Sequence, residues 1–150
     1  MPVVAVEMEK INMFQGSLQD RILIRERYGA YSDAVFRQDV DAWLANYSEE
    51  GVWEIHGKAH RGKTELRAKW ESLWAMLDKM AFFTEIGAIA IEGDSASARS
   101  YCREIVSLKN GQIMKVVGFY EDELIRRNDN WRFSKRHYTP LLNESAPATA

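Results

Sequence analysis

The stretch that decides the fold runs from residue 95 to residue 127 and reads SASARSYCREIVSLKNGQIMKVVGFYEDELIRR. Asn110-Gly111 in its middle is the strongest short hairpin signal of the sequence, because both residues tolerate the backbone of a tight turn. The segments on either side, Ser95–Leu108 and residues 112–127, are long, and a second turn signal, Asn-Asp-Asn at 128–130, follows them. The sequence therefore predicts two long antiparallel strands joined by a hairpin.

Two more strands flank this hairpin. Residues 82–91 are partly β-branched and aromatic, and they end at a Glu-Gly-Asp turn just before it. Residues 131–138 follow it, and we expect Pro140 to end this last strand because proline cannot donate a ladder hydrogen bond. The second half of the chain thus reads as four strands.

The first half is helical in pattern. Ser17, with Asp20 three residues later, and Asp39 are candidate N-caps for the first two helices, and Gly62 precedes a third. Apolar residues recur at helical spacing in the three segments: Ile24, Tyr28, Tyr31 and Val35; Val40, Trp43, Leu44 and Tyr47; and Leu66, Trp70, Leu73, Trp74 and Leu77. Residues 51–56 are β-like. Helices followed by antiparallel strands indicate an α+β fold whose helices cover one face of a curved sheet.

Composition excludes several classes of function. The 150 residues fit one domain, and 46% hydrophobic residues suffice for a core. A formal charge of -2 argues against nucleic-acid binding and against a polybasic membrane anchor. The single cysteine, Cys102, excludes an internal disulfide, and no apolar run approaches the roughly 18–20 residues that cross a bilayer. We therefore expect a cytoplasmic protein.

The order of the motifs resembles a known family. Tyr31, the run DVDAW at 39–43, the run YSEEGVWE at 47–54, and Arg61-Gly62 before the Trp-rich helix are similar to SnoaL-like proteins of the nuclear transport factor 2-like superfamily. The ending GFYEDELIR at 118–126, followed by WRF at 131–133 and Arg136, fits as well. The resemblance implies a cone, in which a bent antiparallel sheet wraps a pocket and three helices close its side. We place this domain at residues 17–140, after an N-terminal extension at 1–16. The small and polar residues at the end of the chain indicate a disordered tail at 141–150.

The resemblance also implies where catalytic groups would lie. The family includes scytalone dehydratase, ketosteroid isomerase, bile-acid dehydratase, polyketide cyclases and members without catalysis. Its dehydratases use a tyrosine and an aspartate on the first helix and a histidine after the third. The tyrosine matches Tyr31, but Phe36 and Phe82 occupy the aspartate and histidine positions, and Ile55 lies near a position that carries a carboxylate or a tyrosine. The usual proton-transfer groups are therefore mostly replaced.

Other residues are candidates on their own chemistry. Strand alternation places Cys102, Glu104 and Val106 on one face, and Val117, Phe119 and Glu121 on one face of the next strand. By the resemblance, these faces point inward. A glutamate there would be desolvated, which would raise its pKa toward neutrality and make it a usable acid or base. We take Tyr31, Glu104 and Glu121 as the catalytic candidates, with these pocket-lining residues: Phe36, Trp53, Ile55, Phe82, Cys102, Val106, Val117 and Phe119.

Each candidate also has a structural interpretation. Tyr31 fits a core tyrosine equally well, and the two glutamates fit exposed or ion-paired side chains. His56 and His60 have the spacing of a metal pair on a helix, but glycines make that segment a loop and no third ligand is evident, so no metal is expected. Arg136 and His137 fit a solvated strand end better than a carboxylate-binding site.

Three functions remain open. The first is a cofactor-independent dehydratase or isomerase, similar to scytalone dehydratase, that acts on a small cyclic apolar molecule. The second is a non-catalytic binding protein for such a molecule, and the third is a subunit role like that of the small subunits of ring-hydroxylating dioxygenases, which share the fold. We also expect a homodimer through the outer sheet face, where these apolar residues need cover: Tyr101, Ile105, Val116 and Tyr120.

Overall fold

The computed structural model describes residues 13–146 and has the α+β architecture that the sequence predicts. Its helices are α1 (Leu18–Arg37), α2 (Val40–Leu44) and α3 (Gly62–Trp74). Its strands are β1 (Phe14–Gln15), β2 (Tyr47–Ile55), β3 (Lys58–Arg61), β4 (Leu77–Glu92), β5 (Ser95–Leu108), β6 (Ile113–Arg127) and β7 (Asn130–Ala146). All seven strands join one curved, open sheet in the order β1-β4-β5-β6-β7-β2-β3.

The sheet is mostly, but not wholly, antiparallel. The four long strands β4 to β7 pair as antiparallel neighbours, as predicted. Strand β2 instead runs parallel to β7, and the short β1 runs parallel to β4. These two parallel ladders join the first part of the chain to both sides of the four-stranded meander.

Four bulges in the antiparallel part of the sheet accompany its curvature. Register shifts leave one extra residue in β4 at Asp78 and at Gly87, and one extra residue in β7 at Ser134 and at Leu141. A bulge bends its strand and increases the local twist. Because β4 and β7 flank the central pair β5 and β6, extra residues on both sides favour a sheet that bends around one face.

The first two helices begin where the sequence predicts. Asp20 donates its backbone N–H to the Ser17 hydroxyl at 3.1 Å, and Ala42 donates its backbone N–H to the Asp39 carboxylate at 2.9 Å. These bonds satisfy donors that a helix start leaves free. The predicted stripe of α1 is buried in full: Ile24, Tyr28, Tyr31 and Val35.

The third helix is shorter than the apolar pattern in the sequence predicts. Gly62 begins α3 with φ of 78°, a backbone conformation that glycine adopts without steric cost. Leu66 and Trp70 are buried, but the helix ends at Trp74, and Leu77 is already the first residue of β4. The apolar spacing alone does not mark this boundary.

The last strand continues past Pro140, so the prediction that proline ends it is wrong. Pro140 lies opposite Gly118, next to the bulge at Leu141, where a missing backbone N–H disturbs the ladder least. Residues 142–146, part of the tail predicted as disordered, pair with the start of β6. Residues 147–150 and most of the predicted N-terminal extension, residues 1–12, lie outside the described residues.

Even-numbered residues of β5 and β6 face the helices and the core; we call this the inner face. On β5 it carries Cys102, Glu104 and Val106, as predicted. On β6 the prediction is wrong by one residue, because the inner face carries Gly118, Tyr120 and Asp122. A shift of one residue exchanges every side chain between the two faces.

The expectations for the β6 side chains are corrected accordingly. Glu121 is exposed on the outer face, and Val117 and Phe119 lie on that face as well. Tyr120, expected on the outer face, is buried inside, and Val116 shares the inner face with Glu104. Of the proposed dimer-face residues, Tyr101 and Ile105 are on the outer face.

A buried ion pair forms part of the core. The side chains of Arg136 and Asp122 are both 0% exposed, and Arg136 Nε donates to Asp122 Oδ1 at 2.8 Å. Tyr28 donates its hydroxyl to the same carboxylate, and Ser100 also hydrogen-bonds to it. Arg136 was expected at a solvated strand end, and this expectation is wrong, because the bulge at Ser134 turns the side chain inward beside Phe133.

Asp122→Asn is expected to lower the free energy of unfolding by about 3–5 kcal/mol, because it leaves the buried Arg136 charge without its counter-charge. The matched control is Asp33→Asn, which breaks the exposed ion pair to Arg37 and is expected to cost less than about 1 kcal/mol. Urea denaturation of both variants measures the difference. Equal losses would contradict a structural role for the Asp122–Arg136 pair.

Candidate functional site

One ionisable side chain on the inner face lacks a polar partner. Glu104 is half-buried, and across the ladder it lies opposite Phe82 on β4 and Val116 on β6. Within residues 13–146, no hydrogen bond or ion pair reaches its carboxylate. Burial therefore acts unopposed on the charged form and raises the pKa of Glu104 from 4.5 to about 7.

The groups around Glu104 are mostly apolar. We define the Glu104 cluster as Glu104, Phe82, Cys102, Val106 and Tyr138. Phe82, Cys102 and Val106 are buried on the inner face, as the sequence predicts, and so are Trp53 and Ile55 of β2. The cluster thus combines one carboxyl group, one thiol and one phenol hydroxyl with apolar walls.

The thiol of the cluster stays protonated at neutral pH. Burial, together with the nearby carboxylate of Glu104, raises the pKa of Cys102 to about 12. A thiol is a nucleophile only as the thiolate. Cys102 therefore has the character of a buried structural cysteine.

Tyr138 is a member of the cluster that the sequence analysis did not single out. Its hydroxyl oxygen is buried, and the Cys102 thiol is its polar neighbour. Its ring packs on Tyr120, with ring centroids 5.0 Å apart. Strand alternation after the bulge at Ser134 would have placed it on the inner face, but only if that bulge had been recognised.

The Tyr31 side chain is buried in the core. Its ring contacts Trp43, Tyr47, Phe82 and Phe133, with centroids 5.8–6.1 Å apart. Its hydroxyl is 3.5 Å from the Tyr47 hydroxyl. The contact with Phe82 brings Tyr31 next to the Glu104 cluster. The burial of Tyr31 fits the interpretation as a core tyrosine equally well. The catalytic role predicted for Tyr31 therefore stays a prediction.

The second glutamate candidate is not part of this arrangement. Glu121 lies on the outer face in a row with Arg99 and His137, and it is exposed. Phe36 is also outside, because its side chain is 46% exposed and its ring packs on that of Phe83 at 5.5 Å. The structure therefore brings Glu104 together with Phe82, Cys102 and Val106, but not with Glu121, Phe36, Val117 or Phe119.

Arg136 and a set of rings occupy the inner face beyond the cluster. The Arg136 guanidinium carbon lies 3.8 Å from the Tyr120 ring centroid, 4.4 Å from that of Tyr31 and 4.5 Å from that of Phe133. Trp53 donates its indole N–H to the Tyr120 hydroxyl at 3.2 Å. This part of the inner face is filled by the protein's own side chains.

The main surface hollows do not coincide with the cluster. Four hollows of 270–470 Å³ lie around the described residues, and none of these four is lined by Glu104, Phe82 or Cys102. One of them is lined by His56 and His60, beside α3. Within residues 13–146 no group of three side chains has the arrangement of a metal site, and no helix there is long and apolar enough to cross a membrane.

Solved structures with the same fold carry several names. The chain is similar to a proposed aromatic ring hydroxylase from Novosphingobium aromaticivorans, with 26% identity and a TM-score of 0.82 over 88% of this chain and 96% of that one. It is also similar to a hexachlorocyclohexane dehydrochlorinase, LinA type 2, at 18% identity and TM-score 0.80 (89% and 94% covered). A proposed scytalone dehydratase from Novosphingobium aromaticivorans has 15% identity and TM-score 0.80 (89% and 91% covered). The last two likenesses establish the fold alone.

The sequence itself matches one domain family. No curated protein sequence matches the chain. The SnoaL-like domain matches residues 16–137, which is most of the chain and nearly the span that the sequence motifs predict. Together with the curved sheet and its three helices, this match shows that the chain belongs to the SnoaL-like family.

Proposed function

We propose that the protein is a cofactor-independent lyase or isomerase, similar to scytalone dehydratase, that transfers a proton on a small cyclic apolar molecule. The observation that carries this proposal is Glu104, an inner-face carboxyl group without a partner, whose pKa is raised to about 7. A general acid or base works best when its pKa is near the working pH. Glu104 meets this condition although Phe36 and Phe82 replace the family's aspartate and histidine.

The chemistry needs only a proton shuttle. In a dehydration, the Glu104 carboxylate takes a proton from carbon, the C–H electron pair forms the double bond, and the neighbouring C–O bond breaks with its electrons on oxygen. The protonated Glu104 then returns the proton to the departing hydroxide, which leaves as water. In an isomerisation, the same carboxyl group returns the proton to a different carbon of the substrate.

Apolar walls define the substrate class. Phe82, Val106 and the half-buried Met80 and Met114, which lie opposite Val106, surround the carboxyl group with apolar surface. Such walls suit a flat or cyclic carbon skeleton. Methionine side chains adapt readily to a ligand, so a substrate is expected to reach Glu104 by displacing Met80 and Met114.

Two of the similar structures support an elimination. One is named a dehydrochlorinase and another a scytalone dehydratase, and both names describe removal of a small molecule from the substrate. A lone carboxylate with a near-neutral pKa supplies the base that such a reaction needs. This support is by similarity of fold.

A non-catalytic binding protein is the second candidate. It is favoured by the phenylalanines at positions 36 and 82, and by the rings and Arg136 that fill the inner face beside the cluster. In that case the same apolar walls hold a ligand without turning it over. A cytoplasmic location fits either function, given the single free thiol, Cys102.

Glu104→Gln is expected to lower turnover by about 100-fold or more, because the amide neither takes up nor releases the proton. The assay screens hydroxylated and ketonic polycyclic compounds in D2O, with mass spectrometry detecting loss of water or incorporation of deuterium. Glu121→Gln, the matched control on the outer face, is expected to retain the wild-type rate. Turnover that survives in Glu104→Gln would refute the role of Glu104, and absence of turnover with a retained ligand would favour the binding protein.

The pKa of Glu104 also predicts how stability depends on pH. Between pH 4.5 and about 7 the folded protein holds a proton that the unfolded chain releases, so this group's contribution is full below pH 4.5 and is lost as pH rises through 7. Glu104→Gln has no carboxyl group to ionise, so the variant does not lose stability in this way as pH rises. Urea denaturation is expected to find the variant more stable than wild type at pH 8, by up to about 3 kcal/mol, and similar to it at pH 4.5. An equal difference at both pH values would contradict the assignment.

We also propose a homodimer through the outer sheet face. Phe83, Tyr101 and Ile105 are 47%, 42% and 36% exposed there, and Phe119 packs beside Tyr101. An apolar sheet face of this kind is stabilised by cover from a second copy. Sedimentation is expected to give a dimer at micromolar concentration and a monomer for Tyr101→Lys; a monomeric wild type would contradict the proposal.

A further inference from the structure

The hollow beside α3 collects basic side chains at one end of the sheet. It has a volume of about 440 Å³, and no member of the Glu104 cluster lines it. Its lining includes two lysines and two histidines, but one glutamate: Lys58, Lys69, His56, His60 and Glu65. The Glu65 carboxylate already accepts the backbone N–H of Arg61 at 2.5 Å. Cationic and imidazole groups are therefore in excess, and such a hollow attracts negative charge.

Two neighbouring elements bring these side chains together. A tight turn at residues 56–57, where φ is 54° and 74°, reverses the chain between β2 and the edge strand β3. Lys58 and His60 are two residues apart on β3, so they lie on the same face of the strand. Glu65 and Lys69 are four residues apart on α3, so they share one face of the helix. The hollow lies where these two faces meet.

His60 is a group in this hollow without a hydrogen-bond partner. The residue is 9% exposed, and its Nε2 atom is buried without a hydrogen bond from any of residues 13–146. Its ring lies near the apolar face of Trp53, with ring centroids 6.4 Å apart. A buried polar atom left unpaired costs free energy. The Nε2 atom therefore points to a polar group that the described part of the chain does not supply.

The charges around the two histidines oppose their protonation. Burial lowers the pKa of His60, and the cations Lys69 and Lys58 lower it further, while the Glu65 carboxylate acts in the opposite direction. Burial and Lys69 also lower the pKa of His56. A bound anion would offset this repulsion, because an opposite charge nearby favours the protonated imidazole. Protonation of the histidines and binding of an anion would thus favour each other.

We propose that this hollow binds a small molecule through an oxyanion, either a phosphate or a carboxylate group, that contacts the Lys58 and Lys69 ammonium groups and the His60 imidazole. The ammonium groups supply charge-assisted hydrogen bonds, and His60 Nε2–H supplies the donor that is otherwise unpaired. Ile55 adds an apolar wall for the carbon skeleton that carries the anion. The inference is independent of the function proposed for Glu104.

Sulfate and benzoate are suitable probes, because each keeps its charge between about pH 5.5 and pH 7.5. Proton–carbon NMR of the histidine rings follows the three histidines of the chain, with His56→Gln and His137→Gln assigning the signals. Relative to sodium chloride of equal ionic strength, a bound anion is expected to raise the titration midpoint of His60 by about one pH unit. His137 is the internal control, since it lies on the outer face beside Glu54 and is expected to keep its midpoint.

Lys69→Gln removes one cation from the hollow without changing the buried His60. It is expected to weaken binding of the anion about tenfold, the loss of one charge-assisted hydrogen bond. Lys115→Gln is the matched control, because it makes the same change of charge at an exposed residue on the outer face of β6. This control is expected to keep the wild-type affinity. Titration calorimetry at about pH 5.5 measures both variants, and thermal unfolding verifies that they are folded.

The two probes distinguish the two sources of an oxyanion. Tighter binding of benzoate would support a carboxylate on a ring as the ligand, and tighter binding of sulfate would support a phosphate group. Equal movement of the His60 and His137 midpoints would indicate screening by salt alone and would overturn the proposal. An unchanged His60 midpoint with both anions, or equal affinities of Lys69→Gln and Lys115→Gln for the anion, would overturn it as well.

Discussion

The ion pair between Arg136 and Asp122 is the interaction on which the interior depends. Both side chains are fully buried, and a guanidinium without its carboxylate would be very costly there. The pair links β6 to β7 across the inner face, and through the Tyr28 hydroxyl it also holds α1 against the sheet. The rings of Tyr31, Tyr120 and Phe133 pack around the cation, which adds cation–π attraction to the hydrogen bonds.

Because Asp122 is held in this ion pair, Glu104 is the inner-face carboxyl group that has no charged partner within the described part of the chain. Asp122 and Glu104 lie on the same inner face, yet their surroundings differ. Asp122 accepts hydrogen bonds from Arg136, Tyr28 and Ser100, whereas Glu104 faces apolar side chains without a partner. Of the two carboxyl groups in this interior, Asp122 holds the buried ion pair, whereas the pKa of Glu104 is raised to about 7 by burial.

Local signals predicted much of the fold. The caps at Ser17 and Asp39, the stripe on α1 and the Asn110-Gly111 hairpin depend on neighbouring residues, and the structure has them where the sequence indicates. Strand β5 was also predicted with the correct ends and face, which is why Glu104 was identified as an inner residue. These features need no knowledge of distant contacts.

The errors arise where the structure depends on partners or irregularities. The face of β6 follows from its register with β5, because Gly118 lies opposite Cys102, and an isolated strand of mixed apolar and charged residues does not reveal it. The bulges at Ser134 and Leu141 break the two-residue period of β7, so alternation could not show that Arg136 is buried or that the strand continues past Pro140. Arg136 and Tyr138, two of the most informative side chains of the interior, were therefore missed as inner residues.

We expect Glu104, a carboxyl group inside this fold, to change its charge near neutral pH. This change can be measured directly by carbon-13 NMR of protein labelled at the glutamate side-chain carboxyl carbon, with Glu104→Gln identifying the Glu104 signal. We expect this signal to titrate with a midpoint near 7. A midpoint at the ordinary value of 4.5 would contradict this expectation, because Glu104 would then be a solvated surface charge.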